Sequence, residues 1–243
     1  MRAAAARRPL PVSIELLPPS QPYDTMKKRI LCFGDSLTWG WNPTERGVPV
    51  ERYGPDERWT GVLAGELGPD HEIIEEGLSG RTTDLDDPTD SRLNGSTYLP
   101  PCLATHLPLD LVVLMLGTND TKTYFHRDPF ITAAAMGRLV TDVAHSFEGV
   151  GTAYPAPGVV LVAPPPLAEM PAPWFRELFA GAREKTLRFA ELYRDLAVFL
   201  DIPFLDAGSV IATEGVDGIH FSRQNNLDFG KSMADFLRRE GLV

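Results

Sequence analysis

The stretch that decides the fold is ILCFGDSL, residues 30–37, an apolar run that ends in a glycine, an aspartate and a serine. Four apolar residues before a glycine are typical of a short buried strand that ends in a tight turn. In sheets of parallel strands, ligands and reacting groups collect at the carboxyl ends of the strands. Ser36 is therefore a candidate nucleophile, provided that a base and oxyanion donors can reach it.

Strand-like and helix-like segments alternate along the rest of the chain, which predicts an α/β fold. The predicted strands are Arg29–Phe33, Glu72–Glu76, Leu111–Leu116, Val159–Ala163 and Pro203–Leu205. The predicted helices are Thr60–Leu67, Phe130–Phe147, Trp174–Leu200 and Ser222–Arg239, and two long irregular stretches, Thr38–Trp59 and Arg81–Tyr98, remain. Such alternation requires crossover connections, so we expect a three-layer α/β/α sandwich around a parallel sheet of about five strands.

The first 25 residues differ in composition from the rest of the chain. They contain five prolines and three arginines, and they lack the uninterrupted apolar stretch of a secretory signal. We expect residues 1–25 to be a disordered N-terminal extension and residues 26–243 to form one domain.

Composition limits the ligands and the compartment. The net charge of −10 disfavours a nucleic-acid or anionic-membrane partner and favours a small or neutral ligand. No stretch has the roughly 20 apolar residues of a membrane-spanning helix. Cys32 and Cys102 are too few for a disulfide framework, so we expect buried free thiols and a cytoplasmic protein.

Asp217 and His220, near the C-terminus, could activate Ser36. An imidazole accepts a serine proton at neutral pH, and an aspartate three residues earlier can hold the other ring nitrogen. The alternative is a loop acid followed by a histidine that caps the next helix. The other four histidines have no acid at a comparable spacing beside a strand end, so we expect them to serve in packing or at the surface.

Oxyanion donors are expected at two further strand ends. Asn119 follows the third predicted strand, and its amide can donate a hydrogen bond to a developing oxyanion. Gly80 follows the second strand and could offer its backbone N–H, with the N–H of Ser36 as a third donor. Ser79 is the rival nucleophile, but Arg81 stands where the G-x-S-x-G elbow requires glycine.

The substrate pocket is expected to be narrow and apolar. Trp39 and Trp41 lie just beyond Ser36 and Leu37, and Pro165 belongs to a stiff loop after the fourth strand. We expect Trp39, Trp41, Leu37 and Pro165 to line the pocket. The acidic loop at residues 84–90 lacks the glycine and glutamate of a calcium-binding EF-hand, and no zinc, P-loop or dinucleotide motif occurs, so no metal or cofactor is expected.

Together these segments resemble the four blocks of the SGNH (GDSL) hydrolase family, which contribute serine, glycine, asparagine and histidine. GDSL at residues 34–37, Gly80, GTND at 117–120 and DGIH at 217–220 occur in the family's order. The longer strings ILCFGDSLTWGW, RWTGVLAGEL, DDPTDSRLNG, LMLGTNDTK and DGIHF are similar to its bacterial arylesterase/acyltransferase branch.

The resemblance implies a flavodoxin-like SGNH domain with Ser36, Asp217 and His220 as the catalytic set and Ser36, Gly80 and Asn119 as the oxyanion hole. It implies a serine esterase that hydrolyses short-chain aryl and alkyl acetates through an acyl-enzyme. It also implies acyl transfer to alcohols in water and a homo-oligomer, because members of this branch tend to oligomerise. The alternatives are a carbohydrate-ester deacetylase or thioesterase on the same scaffold and a catalytically inactive SGNH domain that only binds.

Overall fold

The computed structural model describes residues 27–45, 47–48, 50–146, 154–213 and 216–243. Residues 1–25, expected to form an extension, lie outside the described residues, as does Phe147, the expected end of a helix.

Five strands form one parallel sheet. They are β1 (Lys28–Gly34), β2 (His71–Gly77), β3 (Leu111–Met115), β4 (Gly158–Ala163) and β5 (Phe204–Asp206), in the order β2-β1-β3-β4-β5. The chain moves to one side of β1 to form β2 and to the other side to form β3. Ligands bind at such reversals of strand order, next to the carboxyl ends of the strands, so residues after β1 and β3 occupy the favoured place for a site.

Eight described α-helices cover the sheet. They are α1 (Ser36–Trp39), α2 (Trp59–Leu67), α3 (Gly95–His106), α4 (Pro129–Ala144), α5 (Pro173–Leu178), α6 (Ala182–Thr186), α7 (Phe189–Leu200) and α8 (Arg223–Arg239). None of the helices in the described part of the chain is both long and apolar enough to cross a membrane.

The two faces of the sheet carry separate apolar clusters. Successive side chains of a strand point to opposite faces, so Leu31 and Phe33 of β1 pack with α3, α4 and α7, whereas Ile30 and Cys32 pack with α2 and α8. The prediction of a three-layer α/β/α sandwich around about five parallel strands is therefore confirmed.

Two helix predictions were wrong. The single helix expected over Trp174–Leu200 is three helices, α5, α6 and α7, and the first break contains Gly181 in the left-handed region at φ +72°. Helix α3 begins inside the stretch expected to be irregular and contains Pro100 and Pro101. Asn94 caps it by accepting a hydrogen bond from the Thr97 N–H, which satisfies one of the free amides of its first turn.

Candidate active site

Ser36 is the first residue of α1, immediately after the turn that ends β1. A Cβ at Gly34 would lie 2.2 Å from the Thr38 hydroxyl oxygen, so the turn accepts only glycine here. Asp35 caps α1, because its Oδ1 accepts a hydrogen bond from the Leu37 N–H at 2.9 Å. Strand, turn and helix together hold Ser36 at the carboxyl edge of the sheet.

Asp217 and His220 reach Ser36 from the loop before α8. His220 Nε2 lies 2.9 Å from Ser36 Oγ, and His220 Nδ1 lies 2.7 Å from Asp217 Oδ2. The other oxygen of Asp217 accepts hydrogen bonds from the N–H groups of Ile219 and His220, both at 2.9 Å. Burial acts to raise the pKa of Asp217, but the hydrogen bonds and charge of His220 outweigh it, so this pKa lies below its ordinary value.

Two further contacts orient His220. The indole of Trp41 stacks on the imidazole, with ring centroids 4.6 Å apart and planes inclined by 13°. Gly218 adopts φ +77°, and a Cβ there would lie 2.3 Å from the Glu169 carbonyl oxygen. The turn that carries His220 is therefore packed directly against the chain that follows β4.

Asn119, from the turn after β3, is held by two acceptors. Its Nδ2 donates to the Arg81 carbonyl at 3.1 Å and to Asp35 Oδ2 at 3.3 Å. Burial raises the pKa of Asp35 to about 7, against the opposing effects of the Leu37 N–H and the Arg81 charge. Ser36, Gly80 and Asn119 all face one cavity, so residues that follow three strand ends meet there.

Arg81 is a supporting residue that the sequence motif did not reveal. Its Nη1 donates to the carbonyl oxygens of Gly34, at 2.9 Å, and Glu76, and its guanidinium lies 4.1 Å from the centroid of the Phe33 ring. These contacts connect the ends of β1 and β2. At the position where a G-x-S-x-G elbow would have glycine, the chain has a buried cation that connects the two strand ends.

The cavity beside Ser36 has a volume of about 380 Å³. Its apolar wall is formed by Trp41, Leu93, Phe175, Leu178, Phe179 and Ile219, and its polar lining consists of Ser36, Ser79, Gly80, Thr89, Asp90, Asn119, Lys122 and His220. The lining thus combines apolar and aromatic side chains with charged and hydroxyl groups.

Three residues expected in the pocket lie outside this lining. Leu37 is buried in the core cluster with α2 and α8, because α1 turns it away from the cavity. Trp39 packs on Trp41 with ring centroids 6.5 Å apart, under the guanidinium of Arg52. Pro165 lies beside Gly208 near the end of β5. Of the four expected residues, Trp41 alone faces the cavity.

Phe175 and Phe179 are cavity residues that the sequence analysis missed. They stand four positions apart, on α5 and at its end, so they lie on one side of that helix. Their spacing suggests an apolar helix face, but only the packing of α5 over the strand ends shows that the face points to Ser36.

The acidic loop at residues 84–90 contacts the cavity wall through a buried ion pair. Lys122 Nζ lies 2.8 Å from Asp87 Oδ2, which also accepts a hydrogen bond from the Tyr124 hydroxyl at 2.8 Å. Burial acts to raise the pKa of Asp87, but hydrogen bonds from Lys122, Thr89 and Tyr124 lower it to about 2. The loop therefore holds Lys122 in the cavity wall.

Ser79 lines the same cavity as Ser36 but has different surroundings. Its buried hydroxyl has no hydrogen-bond partner among the described residues. Of these two serines, only Ser36 is hydrogen-bonded to an imidazole.

Comparisons with known proteins identify the family of the chain. The chain matches the model of the GDSL-like lipase/acylhydrolase family over residues 32–224. It is similar to the aryl esterase of M. smegmatis, with 62% identity and a TM-score of 0.86 over 89% of this chain and 100% of that one. It is also similar to two proteins of Sinorhizobium meliloti. One is the carbohydrate acetylesterase Est24, with 56% identity and a TM-score of 0.86 over 89% of this chain and 100% of that chain. The other is a carbohydrate acetylesterase family member, with 41% identity and a TM-score of 0.80 over 87% and 98% of the two chains.

A comparison with curated proteins gives no match. The family match spans all four segments that suggested the resemblance, from Ser36 to His220. The chain therefore belongs to the GDSL-like lipase/acylhydrolase family.

Proposed function

We propose that the protein is a serine esterase that hydrolyses short-chain carboxylic esters such as aryl and alkyl acetates. The observation that carries the proposal is the continuous hydrogen-bond chain from Ser36 Oγ through His220 to Asp217, with links of 2.9 and 2.7 Å. The 62% identity to an aryl esterase supports the same reaction class.

Acylation of Ser36 is the first step. With Nδ1–H donated to Asp217, His220 Nε2 accepts the serine proton while Oγ attacks the ester carbonyl carbon. The carbonyl oxygen becomes an oxyanion that accepts hydrogen bonds from the N–H groups of Ser36 and Gly80 and from the Asn119 amide. Asn119 gives up its long 3.3 Å hydrogen bond to Asp35 Oδ2 for this purpose. One such donor contributes about 3 kcal/mol of transition-state stabilisation. The imidazolium then protonates the leaving alcohol, and the acyl group remains on Ser36.

Deacylation repeats the same proton transfers. A water molecule gives its proton to His220 Nε2 and attacks the acyl carbon, and the imidazolium returns the proton to Ser36 Oγ as the acid leaves. Asp217 stabilises the imidazolium in both steps and keeps the required tautomer.

A second candidate substrate class is acetylated carbohydrates. Thr89, Asp90 and Lys122 line the cavity and offer hydroxyl, carboxylate and ammonium groups to a polyhydroxy substrate. A carbohydrate acetylesterase and a carbohydrate acetylesterase family member are 56% and 41% identical to this chain. We expect the ratio of kcat/KM for p-nitrophenyl acetate to that for an acetylated sugar to show which class is preferred.

We also propose acyl transfer to alcohols, a homo-oligomer and a cytoplasmic location. The aromatic wall of the cavity favours an apolar alcohol over water.

Val198 and Phe199 are 78% and 85% exposed on α7, as expected of a surface that a second copy covers. Cys32 and Cys102 are free and buried, which suits a reducing compartment. Light scattering of the purified protein and cell fractionation test the last two proposals.

Replacing the nucleophile tests the proposed function. We expect Ser36→Ala to lower kcat for p-nitrophenyl acetate by at least about 10³-fold and to abolish labelling by a serine-directed fluorophosphonate. The matched variant Ser79→Ala removes a hydroxyl from the same cavity and should retain labelling. A wild-type protein without esterase activity would indicate a domain that only binds, and label that maps to Ser79 would make Ser36 the wrong nucleophile.

A further inference from the structure

A second cluster of reactive side chains lies at the edge of the sheet, between β2 and α3. Glu76 belongs to β2, and Cys102 and His106 belong to α3. One potential metal-ligand atom of each residue lies within 4.8 Å of the other two. Cys102 and His106 are four residues apart, so both lie on the helix face that covers Glu76.

We propose that Glu76, Cys102 and His106 bind a divalent transition-metal ion of the Zn²⁺ class. A thiolate, an imidazole and a carboxylate are the ligands that Zn²⁺ and Co²⁺ accept, whereas Mg²⁺ and Ca²⁺ require oxygen ligands. Three protein ligands leave a fourth tetrahedral position for water. None of the three residues takes part in the hydrogen-bond chain of Ser36.

The contacts around the cluster hold the ligands in place. His106 Nε2 lies 2.7 Å from Glu76 Oε1, and the Tyr98 hydroxyl donates to the other oxygen of Glu76 at 3.2 Å. Arg29 Nη1 donates to the His106 carbonyl oxygen at 2.5 Å, which fixes the end of α3. Metal–ligand distances of about 2.0–2.3 Å place the ligand atoms about 3.3–3.7 Å apart, so only small side-chain rotations are needed.

The exposure of the cluster also suits an ion. Cys102 is buried at 2% exposure, while the side chains of Glu76 and His106 are 18% and 25% exposed, so an ion can enter from solvent. Binding replaces the thiol proton of Cys102, which is released to solvent, and the thiolate and the Glu76 carboxylate then balance the two positive charges. The Arg81 guanidinium interacts electrostatically with Glu76 and Cys102, while its Nη1 donates to the carbonyl oxygens of Gly34 and Glu76. A bound ion would therefore share the Glu76 carboxylate with this cation and replace its hydrogen bond to His106.

Titration with Co²⁺ tests the proposal without measuring activity. We expect one ion per chain, a thiolate-to-cobalt charge-transfer absorption, and a rise in melting temperature with added Zn²⁺. Cys102→Ser should lose the absorption band, and His106→Gln should bind at least about tenfold more weakly. Two control variants should bind Co²⁺ with wild-type affinity. They are Ser36→Ala and Cys32→Ser, the second of which alters a buried thiol on the opposite face of the sheet.

Several results would overturn the proposal. These are a wild-type titration without the charge-transfer band, a band that persists in Cys102→Ser, and binding abolished by His71→Gln but not by His106→Gln, which would indicate an adventitious ion only. Circular dichroism establishes that each variant is folded. If Cys102→Ser does not fold, Glu76→Gln and His106→Gln carry the test, and unchanged Co²⁺ affinity in both would refute the site.

Discussion

The two oxygens of the Asp217 carboxylate serve different groups. Oδ2 meets the His220 ring, and Oδ1 accepts the backbone N–H groups that shape the turn. In Asp217→Asn one oxygen can still shape the turn, but the amide that faces Nδ1 cannot stabilise an imidazolium. We expect kcat/KM to fall by about 10³–10⁴-fold with only a small change in melting temperature.

Asp206→Asn is the matched control for this variant. Asp206 caps a turn through its Oδ1 in the same way, by accepting the Gly208 N–H, and has no histidine partner in the described structure. Its esterase activity should stay within about twofold of wild type. Equal losses in the two variants would show that Asp217 matters only for the turn.

Asp120 makes stability depend on pH. Burial raises the pKa of Asp120 to about 6, against hydrogen bonds from Thr83 and the charge of Arg127. From about pH 4, where the unfolded chain loses this proton, up to about pH 6, the folded protein still holds it, so this group lowers stability as the pH rises. Asp120→Asn removes the effect.

Urea unfolding at several pH values measures the contribution of Asp120. The free energy of unfolding of Asp120→Asn minus that of wild type should increase between about pH 4 and pH 6, by up to about 3 kcal/mol, and then level off. A difference that does not change with pH would contradict the raised pKa.

At the residue scale, local motifs are predictable and cavity walls are not. The spacing of Asp217 and His220 in one turn, and the position of Ser36 after the first strand, suggested that these three residues meet. The two contacts between them measure 2.9 and 2.7 Å. Phe175 and Phe179 could not be assigned to the cavity, because nothing in their local sequence says which way α5 packs.

At the scale of elements, the close contact between α2 and α8 depends on a glycine, Gly230, at which a side chain would not fit. A Cβ at Gly230 of α8 would lie 2.6 Å from Val62 Cβ and 2.7 Å from the Trp59 carbonyl oxygen of α2. We expect Gly230→Ala to lower the free energy of unfolding by about 1–3 kcal/mol, because the two helices must move apart. Urea denaturation measures the change.

Gly65→Ala in α2 is the control for crowding. A Cβ at Gly65 meets no atom within 4 Å, and alanine favours a helix by roughly 1 kcal/mol over glycine. This variant should be as stable as wild type or more so. If Gly230→Ala were equally stabilised, the close approach of the helices would not limit stability.

Some helices and strands could be predicted from the sequence, and others could not. The run Leu111–Leu116 was predicted as a strand because a strand covered on both faces is apolar throughout, and β3 occupies Leu111–Met115. Helix α3 was missed because Pro100 and Pro101 weigh against a helix, although its packing on the sheet outweighs their cost. Tertiary contacts therefore determine that this segment is helical.

At the scale of the whole molecule, the first prediction concerns residues 1–25. Their proline-rich composition offers no periodic apolar face to dock. A chain that begins at Met26 should therefore have the same kcat/KM and the same melting temperature as the full chain. A clear loss of stability would show that this segment packs on the domain or on a second copy.

The proposed balance between hydrolysis and transfer depends on the whole molecule, because α1, α5 and the loop before α8 all contribute residues to the cavity beside Ser36. Water is present at about 55 M, so an alcohol at about 0.1 M must be favoured by nearly 4 kcal/mol to compete equally. Burial of an apolar alcohol contributes about 0.8 kcal/mol per CH₂ group. An aromatic alcohol against Phe175 and Phe179 can therefore supply a large part of this preference.

Phe179→Ala is expected to shift this balance towards hydrolysis. The variant removes apolar wall and admits water, so with vinyl acetate and benzyl alcohol in buffer the ratio of benzyl acetate to acetate should fall severalfold. Phe130→Ala, at an exposed position of α4, should leave the ratio unchanged. Chromatography of both products at several alcohol concentrations gives the ratio.

Acetate as the sole product of the wild type at every alcohol concentration would refute transfer. An equal ratio in wild type and Phe179→Ala would mean that the apolar wall does not select the acceptor. Burial of the alcohol against Phe179 would then have no effect on the competition between alcohol and water.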